Sequence, residues 1–395
     1  MPSLLEGRRI WFAGIGGAGL SAYAFLAQEW GAEVRGWDRV RTPYLDHLVD
    51  VPVEIAEDPP VPPDGFEAVV STAFADRVKG ASRAEFLAEL VSLRPSIVVA
   101  GAHGKTTTSA MIAFCLRRLG QDPAWLIGGA VPQLGGNAGA GEGWLVVEGD
   151  ESDRTIAALR PRISVVTNID LDHHTEFASR AEVEELFESF LAAAPESVRG
   201  WELDPVELPL AVPGEHNRRN AATALAALSL AGVAKEDAEH VLAEFAGAGR
   251  RLESRGKAGG VTVVDTYAHH PAEISADLEA AREGLEGRLL ALFQPHLYSR
   301  TRHLARELAA ALAAADAVAV TDVYAAREQP LEGVTGKLVV DARAELRPWV
   351  DVGWTPTIEE GALFLAGRAR AGDLVLTIGA GDVERAGPLV LQALA

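Results

Sequence analysis

The sequence predicts an α/β protein of parallel sheets covered by crossover helices, on three observations. Short strand-like runs alternate with amphipathic helix-like runs through most of the 395 residues. Two glycine-rich turns, Gly14-Ile15-Gly16-Gly17-Ala18-Gly19 and Gly101-Ala102-His103-Gly104, each stand directly between a strand and a helix, the junction at which doubly wound folds hold phosphate. After Phe245 the alternation starts afresh, so the chain reads as three successive units, 1–95, 96–247 and 248–395.

In the first unit, strands are expected at RRIWFAG, AEVRGW and FEAVVST, with helices between them and a Pro-rich connection containing DPPVPPDG. The second unit opens with SIVVAG and runs through WLVVEGDES, RISVVTNID and the helical EVEELFESFLAAA. A short stretch, WELDPVELPLAVPG, then leads to a long Ala-rich helix starting near His216. The third unit places strands at VTVVDT, RLLALFQP, AVAVTDVY and GDLVLTIGAG, each followed by a helical segment, again a doubly wound pattern. Ala-rich helices at 217–232 and 303–315 fit tight packing on a sheet better than partner-binding stripes. There are no tandem repeats and no low-complexity tails.

Composition narrows the function. A formal net charge of −20 argues against a nucleic-acid or anionic-membrane binder, which needs basic faces to neutralise phosphate. Acidic substrates would need local clusters of cations and helix N-termini, so the Lys, Arg and His residues inside glycine-rich loops become informative. The apolar runs are interrupted well before the roughly twenty residues of a membrane span, and MPSLLEGRRI is too short for a secretory signal. The expected compartment is the cytoplasm, without membrane insertion. Cys115 is the only cysteine, which excludes internal disulfides and Cys-based zinc sites and reads as a small buried hydrophobe in a helix.

The opening turn has the spacing G-x-G-x-x-G, and Asp38 follows 19 residues after Gly19 at the end of the next strand, where a ribose-binding acid of a nicotinamide site would sit. By itself the turn fits an NAD enzyme or a turn chosen only for close packing. The second turn shifts the balance. Gly101, His103, Gly104, Lys105, Thr106 and Thr107 form a phosphate loop, two residues shorter than G-x-x-x-x-G-K-[ST] because Val99 stands where the first Gly of that form would be. In this reading Lys105 reaches the terminal phosphates of a nucleoside triphosphate and Thr106 supplies an oxygen to Mg2+.

VVEGDESD ends a strand with Glu148, Asp150, Glu151 and Asp153, acids that repel one another unless a cation sits among them. TNIDLDHHTEF closes the next strand with Asp170, Asp172, His173 and His174. Each cluster alone fits a solvated loop; beside a phosphate loop they read as magnesium ligands. PGEHNRRNAATALA puts His216, Asn217 and Asn220 on the first turns of a helix, as ligands or as caps. Further strand ends carry Asp265, Tyr267, His269 and His270, and His296, Tyr298, Arg300 and Arg302, at the edge where open α/β sheets place ligands.

Ten stretches in this order, GIGGAGLSAYA, GAHGKTTT, VVEGDESD, TNIDLDHH, PGEHNRRNAA, GAGRRLE, DTYAHHPAEI, FQPHLYSRT, VYAAREQPLEG and GDLVLTIGAGD, resemble the Mur ligases of peptidoglycan synthesis over nearly the whole chain. The resemblance implies a three-domain architecture: a Rossmann-like N-terminal domain for a UDP-sugar, a central P-loop ATPase domain and a Rossmann-like C-terminal domain that binds the amino acid and closes over ATP. It also implies ATP-dependent amide formation between L-alanine and the lactyl carboxylate of UDP-N-acetylmuramate through an acyl phosphate. The first turn, Gly14, Gly16, Gly17, Ala18 and Gly19 with Asp38, then holds the diphosphate of the UDP-sugar.

Carried over from the family, Lys105 binds phosphate, Thr106 and Glu148 bind Mg2+, and His173 binds a second magnesium. His216, Asn217 and Asn220 contact ATP with Gly101, His103, Gly104 and Thr107. Arg251 faces the nucleotide and Asp265 its ribose, while Tyr267, His269, His270, His296 and Arg300 face the reacting carboxylate and incoming amine. The chain departs from the family at Leu20 (usually Met), Ala102 (usually Thr), Thr266 (usually Asp) and Ala268 (usually Gly). It also keeps only about twenty residues between Phe190 and Pro213, where the family carries several antiparallel strands of the central domain. The competing expectations are a ligase that attaches a peptide to UDP-N-acetylmuramate, a sensor that binds UDP-sugar or ATP without turnover, and an NAD(P) oxidoreductase, which has no use for Lys105, Glu148 and His173.

Overall fold

The computed structural model describes residues 3–170, 177, 179–326, 328–346 and 351–395. The chain divides into two compact units. One is built from Met1–Asp170, Arg180–Pro209 and Arg219–Phe245, the other mainly from Leu210–Arg218 and Ala246–Ala395.

The first unit contains two sheets. Strands β1 (Arg9–Ala13), β2 (Glu33–Asp38), β3 (Val53–Ile55), β4 (Glu67–Val70) and β5 (Ala81–Ser82) form an all-parallel sheet in the order β3-β2-β1-β4-β5. Helix α1 (Ala18–Glu29) follows β1, and α2 (Arg83–Ser92) follows β5. A capping box starts α2, with Ser82 and Glu85 each satisfying the other's backbone amide. The helix expected between the second and third predicted strands is absent. A 3-10 turn, the short β3 and a proline-rich segment lie there instead, because Pro43, Pro52, Pro59, Pro60, Pro62 and Pro63 remove amide donors and disfavour helical geometry in the residues before them.

The second sheet contains β6 (Ser96–Ala100), β7 (Ala124–Val131), β8 (Gly136–Gly139), β9 (Leu145–Glu148), β10 (Ile163–Val166) and β11 (Glu196–Arg199), in the order β11-β10-β6-β9-β7-β8. Only the β7–β8 pair is antiparallel. All five residues of β6 are buried, as expected of a strand covered on both faces. Helix α3 (Lys105–Arg118) carries Cys115, whose buried thiol is pushed up to about 12 by burial and is therefore inert. Helices α4 (Arg180–Ala192), α5 (Glu215–Leu230) and α6 (Lys235–Leu242) follow. Between Arg199 and Glu215 the chain forms only a 3-10 turn, Gly200–Glu202.

The second unit has one sheet of β12 (Glu253–Ala258), β13 (Val261–Thr266), β14 (Leu289–Phe293), β15 (Ala317–Val320), β16 (Asp351–Trp354) and β17 (Leu374–Ile378), in the order β12-β13-β17-β14-β15-β16. Only β12–β13 is antiparallel. Helices α7 (Pro271–Arg282), α8 (Tyr298–Ala311), α9 (Lys337–Leu346), α10 (Ile358–Ala366) and α11 (Ala386–Leu394) cover it. Strand alternation divides the core into two layers. Leu289, Ala291 and Phe293 pack on one face with Val318, Val320, Leu376 and Ile378, while Leu290 and Leu292 pack on the other with Ala317, Ala319 and Val375.

Candidate active site

Strands β10, β6 and β9 are parallel neighbours, so the loops leaving their C-terminal ends share one edge of the sheet. The phosphate loop lies there because its glycines permit two close approaches. Gly101 has φ +131°, and a Cβ on it would stand 2.1 Å from Thr167 Oγ1. Gly104 has φ +80°, and a Cβ there would stand 2.3 Å from Asn220 Oδ1. The loop is then fastened to the end of β10. The amide of His103 donates to Asn168 Oδ1 (2.9 Å), and its carbonyl accepts from Asn168 Nδ2 (2.8 Å) and Thr167 Oγ1 (2.5 Å).

Helix α3 begins at Lys105, so its first amides face the loop. Lys105 Nζ donates to the carbonyls of Gly101 (2.6 Å) and Ala102 (3.2 Å) and to Glu151 Oε1 (2.8 Å). Burial works against the Lys105 charge, but Glu151 and the neighbouring acids outweigh it and raise its pKa. Burial pushes the Glu151 carboxyl up to about 7 despite the lysine. Thr106 Oγ1 donates to Glu148 Oε1 at 2.9 Å, and the Gly128 amide holds Glu148 Oε2 at 2.6 Å. A hydroxyl and a carboxylate oxygen in contact at a helix start form a hard-oxygen pair suited to Mg2+. Thr107 is buried on the same turn.

The acids after β9 are neutralised differently from the sequence expectation of one cation among four carboxylates. Arg83, the first residue of α2, reaches Asp150 (3.2 Å) and Asp153 (2.9 Å), and Glu151 takes Lys105, leaving Glu148 beside Thr106. Protein cations thus hold three of the four acids, and Glu148 is held instead by Thr106 and the Gly128 amide. Asp170 Oδ2 lies 3.7 Å from His103 Nε2. His173, with Asp172 and His174, lies outside the described residues.

At the first glycine turn, Gly14 has φ +86°, and a Cβ there would meet Ser71 Cβ at 2.8 Å and the Phe74 ring at 2.9 Å. Gly17 occupies the N-cap of α1 and offers no side-chain cap, and Ala18 is the first helical residue; an uncapped helix start leaves amides for an anion. Gly19 lies under the Arg83 guanidinium, 3.3 Å from the position of a Cβ. Asp38 is buried, and both its oxygens are engaged by backbone: Gly16 N to Oδ2 and Arg39 N to Oδ1, each at 2.7 Å. It therefore braces the turn through both oxygens.

In the second unit, β13, β17, β14 and β15 run parallel and end at one edge. Asp265 lies in the interior, its side chain 0% exposed. It accepts from Arg250 Nε (2.9 Å), Arg255 Nη2 (3.2 Å) and Thr377 Oγ1 (2.5 Å). A buried carboxylate needs such partners, and they enclose it. Arg250 also donates to the carbonyls of Gly379 (2.7 Å) and Gly381 (3.0 Å), tying the last glycine turn to this strand end. Arg251 is more open. It lies 3.8 Å from Glu273 and places its guanidinium 5.5 Å from the Tyr267 ring centre.

Tyr267, His269, His296 and Tyr324 form a chain of rings at 5.6, 5.6 and 5.8 Å. Glu273 Oε2 accepts from the amides of His269 and His270, holding the turn before α7, and His270 is buried. Arg300, also buried, faces His296 Nδ1 at 3.3 Å. A guanidinium only donates, so Nδ1 accepts and the imidazole proton sits on Nε2. At the start of α5, Asn217 Nδ2 donates to the Pro213 carbonyl (2.7 Å) as a local brace.

Sequence reasoning missed Arg83, Asn168, Glu273 and Asp277. Of these only Glu273 carried a local signal, the acid three residues after His270 in HPAE, a capping spacing; the others act across long stretches of chain.

These features define a class. Residues 99–200 match the Mur ligase middle domain and residues 250–381 the Mur ligase glutamate ligase domain, and the chain belongs to the Mur ligase family. Its similar relatives include the UDP-N-acetylmuramate–L-alanine ligase of Streptomyces coelicolor, 39% identical over an alignment that covers 100% of this chain and 99% of the relative. The enzyme of that name from Rubrobacter xylanophilus is 37% identical, with 98% of this chain and 100% of the relative covered. The crystal structure of the UDP-N-acetylmuramate–alanine ligase of Thermotoga maritima superposes with a TM-score of 0.79 at 25% identity, covering 97% of this chain and 98% of that one. The Streptomyces alignment runs over 465 positions, so that relative carries segments which this 395-residue chain lacks.

Proposed function

We propose that this chain is an ATP-dependent ligase that joins L-alanine to the lactyl carboxylate of UDP-N-acetylmuramate, in the cytoplasmic synthesis of peptidoglycan precursors. One observation carries the reading: full-length similarity at 39% identity to a ligase of that name. A carboxylate is a poor acylating agent at neutral pH. Attack of the lactyl oxygen on the γ-phosphoryl group gives an acyl phosphate and ADP, and the alanine amine then displaces phosphate through a tetrahedral intermediate.

The division of labour we propose is 1–95 for the UDP-sugar, 96–247 for ATP and 248–395 for the amino acid. Gly14, Gly16, Gly17, Ala18 and Gly19 take the UDP diphosphate on backbone amides. Lys105, with the loop amides from Gly101 to Thr107, takes the ATP phosphates, and Thr106 and Glu148 hold Mg2+. Bound there, Mg2+ neutralises charge on the transferring phosphoryl group. His216, Asn217, Asn220 and Arg251 serve the nucleotide. Tyr267, His269, His270, His296 and Arg300 orient carboxylate and amine, with the fixed Arg300 charge opposing the developing oxyanion.

The test is phosphate release by the purified protein with ATP, magnesium and UDP-N-acetylmuramate, with and without L-alanine. Release that needs both substrates supports the reading. Release with a peptide but not with L-alanine replaces it with a peptide ligase, and UDP-sugar binding without any release replaces it with a sensor.

A further inference from the structure

Thr266 stands where the resembled family usually carries an aspartate, yet a carboxylate still occupies the neighbourhood. The Thr266 hydroxyl donates to Asp277 Oδ2, and the amide of Ala268 donates to Thr266 Oγ1 at 3.3 Å. Asp277 sits two turns into α7 and is 8% exposed. Its other oxygen, Oδ1, lies 3.5 Å from Nε2 of His216, in the same unit. The His216 ring is confined from a second side by Gly214, where φ is +98° and a Cβ would stand 2.7 Å from Cε1 and 2.8 Å from Nδ1 of the imidazole. Only a glycine lets the ring lie there. The polar chain Ala268–Thr266–Asp277–His216 thus links the turn after β13 to the first turn of α5.

A buried carboxylate is costly unless it is paired, and burial indeed pushes the Asp277 carboxyl upward, against the pull of His216, the Thr266 hydroxyl and the more distant Arg251, with Glu273 adding repulsion. Core packing alone favours an apolar residue between Ile274 and Leu278, both 0% exposed. We propose that Asp277 is a positioning residue that replaces the carboxylate missing at position 266 and holds the His216 imidazole at the start of α5 in its nucleotide-binding orientation. The role of His216 rests on the ligase reading above; the pairing itself does not. Because a carboxylate only accepts, the imidazole nitrogen facing it carries the proton.

Two measurements test this on the full chain. In steady-state assays, Asp277→Thr raises KM for ATP roughly tenfold with a smaller change in kcat, the scale expected when a hydrogen bond to a charged group is lost. The double variant Asp277→Thr/Thr266→Asp, which returns the carboxylate to position 266, recovers most of that loss. Independently of turnover, long-range 1H–15N NMR of the histidine rings shows the His216 proton held on Nε2, and Asp277→Leu removes that preference. A His216 tautomer unchanged in folded Asp277→Leu overturns the pairing even if ligase activity is present. An altered tautomer in a protein without ligase activity keeps the pairing and removes only the nucleotide role. A KM unchanged by Asp277→Thr, or a defect that the double variant leaves in place, overturns the positioning role.

Discussion

Lys105 is held by three acceptors, and only Glu151 among them is charged. The lysine is thereby presented at the loop as a fixed cation, and its removal takes away the charge that offsets the ATP phosphates. Lys105→Ala is expected to abolish phosphate release while calorimetry still registers UDP-N-acetylmuramate binding. Because the substitution strands a buried carboxylate, Lys105→Ala/Glu151→Gln serves as the folding control. Glu151 gives a second prediction. Its pKa rises from 4.5 unfolded to about 7 folded, so the unfolded chain releases this proton first. Stability is full below about pH 4.5 and declines as pH rises to about 7. Denaturation midpoints followed across that window should fall in the wild type relative to Glu151→Gln; parallel curves would contradict the assignment. Glu148 stood out from its neighbouring acids only through the family resemblance, whereas the loop carrying Lys105 and Thr106 was legible as a strand-to-helix motif of fixed residue types and spacing. The enclosure of Asp265 was not, since Arg250, Arg255 and Thr377 close around it from other strands and turns. Nor was the pairing of Arg83 with Asp150, which spans 67 residues.

At the scale of elements, the loop after β6 depends on its two left-handed glycines. Gly101→Ala forces a Cβ against Thr167 Oγ1 in a backbone region that side chains disfavour, at a cost of about 1–2 kcal/mol from the backbone alone. Urea denaturation should show at least that loss, and an unchanged midpoint would mean that the loop rearranges without penalty. Strands β6, β9, β14 and β17 were readable as unbroken apolar runs because both faces of each are covered. The hairpin β7–β8 was missed because the glycines of AWLIGGAV and GNAG dilute the apolar signal. Strand β12, ESRGKA, is a half-exposed edge whose polar residues carry no alternation, and β3 is three residues long. Proline, the strongest local signal against helix, is what disproved the helix expected before β4, and its meaning was visible in DPPVPPDG from the start.

At the scale of the molecule, a chain of net charge −20 still carries cations at the candidate sites of both units. Lys105 and Arg83 serve one unit, and Arg250, Arg251 and Arg300 the other. Neighbouring acids are paired with them, Asp150 and Asp153 with Arg83, Glu151 with Lys105 and Asp265 with Arg250, which offsets negative charge locally. Among the described residues no helix is long and apolar enough to cross a membrane. The glycine turns at strand ends pointed to phosphate binding, and the class of reaction was legible before any distance was known because ten ordered stretches resemble the Mur ligases. Oxygen tracing tests whether phosphoryl transfer activates the lactyl carboxylate. UDP-N-acetylmuramate labelled with 18O in the lactyl carboxylate is incubated with ATP, magnesium and L-alanine, and the phosphate and amide are weighed by mass spectrometry. One labelled oxygen in the released phosphate, together with the L-alanyl product, is the predicted result; amide formed alongside unlabelled phosphate would contradict the acyl phosphate and the account built on it.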